Sequence, residues 1–99
     1  MCVKNYPKAL EFLNHALEIA EQLNDKSAIA LHLGNIGVCF ELEKEYLKAL
    51  PYYFRSLKIY EELGQKAGIG RNLGNIGAIY LNIAQQNPKG ITKNDNLKL

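Results

Sequence analysis

Ninety-nine residues, 47% of them hydrophobic and 22% charged, allow one small globular domain and exclude wholesale disorder. The formal charge of +2 sits in the last residues, because nine Lys/Arg balance nine Asp/Glu over 1–84, and Lys89, Lys93 and Lys98 outweigh Asp95 beyond that point. A nucleic-acid binder needs a basic face on its folded part, and none is present; no apolar run approaches the roughly 18–20 residues that span a bilayer.

Apolar spacing predicts four helices. The first covers about 5–23, with Pro7 at its opening and Asn5 as its cap. Leu10, Leu13, Leu17 and Ala20 form one stripe, and Ala9, Phe12, Ala16, Ile19 and Leu23 form a second beside it. A stripe of double width belongs to a helix buried on two sides. The second helix covers about 26–43, capped by Asp25, with Ile29, Leu33, Ile36 and Phe40 on one face. Cys39 lies in this apolar run and reads as a small core residue; with Cys2 it makes no CxxC or ligand spacing, and two unpaired thiols suit a reducing, cytoplasmic setting. The third helix covers about 46–63 and repeats the double stripe with Leu50, Tyr53, Leu57 and Tyr60 beside Ala49, Tyr52, Ser56, Ile59 and Leu63. Pro51 falls one turn inside it and should bend the axis slightly, while Gly64 suits a left-handed terminus. The fourth covers about 66–84, with Ile69, Leu73, Ile76 and Tyr80 on one face; four interior glycines, each costing about 1 kcal/mol of helix propensity, make it the weakest without packing. Residues 85–99 are polar, hold Pro88 and Gly90, and read as a disordered tail.

The chain repeats itself. LGNIG stands at 33–37 and again at 73–77, an offset of 40 residues. The same shift superposes Lys8-Ala9-Leu10 on Lys48-Ala49-Leu50, Leu17 on Leu57, Ile19 on Ile59 and Ile29 on Ile69, so that nearly half of positions 4–37 match. A fixed period of this size is the mark of a solenoid stacked from one supersecondary unit. The expected architecture is all-α, an antiparallel helix-turn-helix array over 1–84 made of a half repeat, a full repeat and a half repeat. Such arrays need about three units and polar caps, so the piece is expected either to belong to a longer protein or to form a homo-oligomer through its uncapped helical ends.

Leu33, Ile36, Gly37, Phe40, Ala49 and Tyr53 resemble the signature of the tetratricopeptide repeat, and Leu73, Ile76, Gly77 and Tyr80 repeat its first half. The period of 40 and the missing closing Pro depart from the 34-residue form. They are similar to the repeats of kinesin light chains, Gα-binding adaptors, bacterial peptide-responsive regulators and bacterial cyclase- or kinase-associated regions. That resemblance implies a scaffold that binds a protein or peptide along a concave surface lined by the first helix of each repeat. Carried over position by position, the lining is Leu31, Gly34, Asn35, Val38 and Glu41, then Arg71, Gly74, Asn75, Ala78 and Asn82. Asn35 and Asn75 fall where the family often sets an amide against a bound peptide backbone, and an amide both donates and accepts. Arg71 is the one cation of this set and could meet a carboxylate, but Leu31 stands at the matching position, so the multi-cation clamp of chaperone-binding members is not reproduced.

No nucleophile–base pair, carboxylate cluster or phosphate loop occurs, and His15 and His32 are isolated; no enzyme activity, metal or cofactor is expected. The main reading is a peptide- or protein-binding scaffold, and the alternative is an oligomerisation or regulatory segment of a larger signalling protein.

Overall fold

The computed structural model describes residues 6–86, and all four expected helices are present: α1 (Tyr6–Gln22), α2 (Lys26–Leu42), α3 (Tyr46–Leu63) and α4 (Lys66–Gln86). Asn5, Cys2 and the tail beyond Gln86 lie outside the described residues. α4 continues two residues past the expected boundary at 84. The connections are as tight as the punctuation implies. Asp25 is extended and its carboxylate accepts from the Ala28 N–H at 3.2 Å, closing the start of α2. Gly64 adopts φ 68° and its N–H returns to the last turn of α3, the left-handed ending for which a missing Cβ is suited. Asn24 and Lys44 take the same left-handed conformation in the other two turns with a side chain in place, at φ 55° and φ 64°. Pro51 is accommodated inside α3 on its exposed side.

Each helix packs on the next in the chain, and the backbones of α2 and α4 also approach, whereas those of α1 and α3 stay apart. The first helices therefore crowd together and the second helices splay apart, which puts α2 and α4 on the inner side of the curve. The core follows the same order. Leu17, Leu33 and Ile36 join α1, α2 and α3, with Tyr52 and Ile59 packed against them. Ala49, Tyr53, Leu57, Ile76 and Ile79 join α3 to α4. Cys39 is buried and unpaired, and burial, followed by the nearby Glu43 charge, pushes its thiol pKa up.

Expectation and structure differ in how evenly the stripes are covered. α3 has neighbours on both sides and covers both stripes except for Leu63 at its end, but α1 leaves Phe12 and Ile19 exposed, and α4 leaves Leu73 and Tyr80 exposed. The periodicity is the same in both copies; what differs is whether a further helix lies against it.

Tyr53 is the largest fully buried side chain among the described residues. Its ring lies against Gly37, where an added Cβ would come within 2.9 Å of Cε1, and its hydroxyl donates to Glu41 Oε1 at 2.7 Å. Burial, and then the Glu41 bond and charge, raise its pKa well above the usual phenol value. Tyr53→Phe should cost about 1–2 kcal/mol in urea unfolding, the range of a hydrogen bond to a charged acceptor that keeps access to water once its donor is gone.

Candidate functional site

On the inner side, α2 and α4 border a narrow cleft of about 30 Å³ lined by Leu31, Gly34, Asn35, Val38, Arg71 and Asn75 at its walls and by Ala30, Ser56, Tyr60 and Asn72 beneath. Four of the expected site residues, Asn35, Asn75, Arg71 and Val38, are thus brought together. Asn35 and Arg71 are exposed and Asn75 is half-buried. Val38 is half-buried and also packs against the α3–α4 core. Ala78 and Asn82 lie further along α4, outside the cleft, exposed and half-buried respectively. Of the other lining candidates, Glu41 turns to α3 as the acceptor of Tyr53. Gly34 stays in the cleft wall, where an added Cβ would make only ordinary contact with Ser56 Oγ and Asn72 Oδ1, at 3.5 and 3.6 Å.

The base of the cleft is polar. Ser56 Oγ donates to the Ala30 carbonyl at 2.7 Å, and Asn72 Nδ2 donates to Ser56 Oγ at 2.8 Å. This relay joins α3, α2 and α4 through two side chains that are almost wholly buried, and each satisfies the other. Beside it the Tyr60 ring lies flat on Gly68, and the Arg71 guanidinium sits 6.0 Å from the centre of that ring with Nη2 3.5 Å from the hydroxyl. Tyr60 thereby holds Arg71 at the cleft edge while leaving its charge in solvent.

Asn72, Ser56 and Tyr60 escape a reading built on matches, yet a signal was available. All three fall where the 40-residue copies disagree: His32 stands at the position of Asn72, Ala16 at that of Ser56, Ala20 at that of Tyr60 and Ala28 at that of Gly68. In the earlier copy the relay is missing, and the buried Nδ1 of His32 has no hydrogen-bond partner.

A cleft of about 30 Å³ admits one water-sized group, far below the roughly 300 Å³ at which small-molecule pockets begin. A ligand can lie across this surface but cannot sink into it. The larger hollows are open depressions: one of about 600 Å³ is lined by α1 residues alone, including Phe12, His15 and Glu18. Among the described residues no group of three or more His, Cys, Asp or Glu is placed to hold a metal ion, and no helix is long and apolar enough to cross a membrane.

A search of curated proteins finds no match. Among solved structures, the designed protein DA05, determined by solution NMR, superposes with a TM-score of 0.74 over 89% of this chain and 83% of its own, at 20% identity. At that identity the likeness is one of fold. The family model described as tetratricopeptide repeat matches residues 1–62, which span α1, α2 and nearly all of α3, and α4 repeats α2 forty residues on. The chain belongs to the tetratricopeptide repeat family.

Proposed function

We propose that the chain is a scaffold that holds a protein segment or extended peptide across the inner face of α2 and α4. Repeats of this family generally mediate protein–protein interaction. The observation that carries the finer reading is the convergence of Asn35, Asn75 and Arg71 on one shallow, polar-based cleft. Two amides on successive first helices can each donate to and accept from a peptide unit, and a flat guanidinium beside them can take a backbone carbonyl or a carboxylate. Ala78 and Asn82 extend the same surface toward the end of α4 and lengthen the track. The small cleft volume favours recognition of backbone and small side chains over a bulky anchor. The buried, unpaired thiol of Cys39 supports a cytoplasmic setting.

Affinity capture from a lysate, read by mass spectrometry, tests the groove by comparing the native chain with the Asn35→Ala/Asn75→Ala variant. Loss of the captured partners, at unchanged helicity and melting temperature, is the expected result. Full retention of the same partners by the double variant would remove Asn35 and Asn75 from the interface.

A further inference from the structure

We infer that this chain assembles head to tail with copies of itself, the outer face of α4 on one copy receiving the outer face of α1 on the next. The chain already contains one copy of this interface. Where α2 meets α3, Phe40 stacks on Tyr52 with ring centres 5.6 Å apart, Gly37 receives the Tyr53 ring, and Glu41 takes the Tyr53 hydroxyl. Forty residues on, α4 offers the α2 half of that interface with none of the described residues packed against it. Leu73 and Tyr80 are each 54% exposed, Leu81 is 59% exposed, and a Cβ added at Gly70, Gly74 or Gly77 would meet open space. Forty residues earlier, α1 offers the α3 half: Phe12, at the position of Tyr52, is 66% exposed, and Ile19, at that of Ile59, is 44% exposed.

The two bare halves fit each other where they differ from the internal one. Phe40 against Tyr52 becomes Tyr80 against Phe12, the same aromatic pair with the rings exchanged. The hydrogen-bonded Glu41 and Tyr53 become Leu81 and Leu13, so donor and acceptor are both replaced by apolar groups and neither is left buried alone. Ser56 over Ala30 becomes Ala16 over Gly70, again without a stranded polar group. A helix from an unrelated protein has no reason to match in all three places, whereas a second copy of this chain does so automatically.

The contact uses different surfaces on the two partners, so each copy added leaves the same two faces free and the assembly does not close at a dimer. The inference is independent of the inner groove, which stays open in such a stack.

Sedimentation or light scattering across a concentration series of the 99-residue chain tests it. The weight-average mass should rise with concentration past twice the 11.1 kDa of one chain without levelling there. Phe12→Glu/Ile19→Lys on α1 and Leu73→Lys/Leu81→Glu on α4 alter exposed positions, so both variants should keep native far-UV circular dichroism. Each should be monomeric alone, because one of its faces is blocked. Mixed in equal amounts, they should form one species of twice the single-chain mass and nothing larger. A native chain that stays at 11.1 kDa throughout would overturn the inference. So would a blocked variant that pairs with itself, which would mean a symmetric contact, or a mixture that fails to pair.

Discussion

Gly68→Ala is expected to destabilise the native chain by about 2 kcal/mol, yet to stabilise the Tyr60→Ala variant by about 1 kcal/mol. In the native chain a Cβ at position 68 would lie 2.5 Å from Cγ and Cδ2 of Tyr60, closer than any carbon contact tolerates. The ring cannot simply retreat, because it is buried beneath Arg71. Overpacking of this kind costs typically about 1–3 kcal/mol or more, which outweighs the gain of about 1 kcal/mol from replacing a helical glycine. With Tyr60 cut back to Ala the clash is gone and only the propensity gain is left. The double variant also restores the Ala20 and Ala28 pair that the earlier repeat carries at the same two positions. Tyr60→Ala alone should cost about 3–5 kcal/mol, as large-to-small changes of buried aromatics do. Urea unfolding of the four members of the cycle reads the coupling directly. If Gly68→Ala has the same sign in both backgrounds, the ring is not wedged on Gly68 as described.

The second large effect separates two residues that look identical in the sequence. Gly37 and Gly77 both close the LGNIG motif, but Gly37→Ala should cost about 2–3 kcal/mol while Gly77→Ala should gain about 1 kcal/mol. At Gly37 the new Cβ would be 2.9 to 3.2 Å from three atoms of the Tyr53 ring, which is fully buried and tethered by its hydroxyl to Glu41. At Gly77 it would meet open space. Thermal unfolding monitored by circular dichroism, at a concentration low enough to keep the chain monomeric, measures both. Because Gly77 lies in the α4 face inferred to receive another copy, the variant that is more stable as a monomer should also associate more weakly at high concentration.

The helices and their order were legible because the information about them is redundant. Leu17, Ile29, Leu33 and Ile36 occur again forty residues away, and two copies of one spacing leave little room for another period. Capping by Asp25 and termination at Gly64 were equally plain, since few residues perform those tasks. Exposure was less legible, because a stripe of apolar residues has the same spacing whether or not a helix covers it. Phe12, Leu73 and Tyr80 carry a core pattern and stand in solvent. For the candidate site, resemblance led to Asn35, Asn75, Arg71 and Val38 at the cleft, but also to Glu41, which the fold uses to hold Tyr53. Ser56 and Asn72 were hidden because the comparison that finds a repeat rewards agreement. Their function in the base of the cleft depends on being unlike Ala16 and His32.

The relay from Asn72 through Ser56 to the Ala30 carbonyl makes the array mechanically uneven. The relay's two bonds cross the junctions among α2, α3 and α4, beside the Tyr53–Glu41 and Arg71–Tyr60 bonds, and directional bonds resist sliding in a way that apolar contact alone does not. The α1–α2 junction has Ala16 and His32 at the same places, and the buried Nδ1 of His32 makes no such bond among the described residues. Under tension the α1–α2 junction is therefore expected to slide more readily than the junctions the relay ties, and the relay holds the spacing between Asn35 and Asn75.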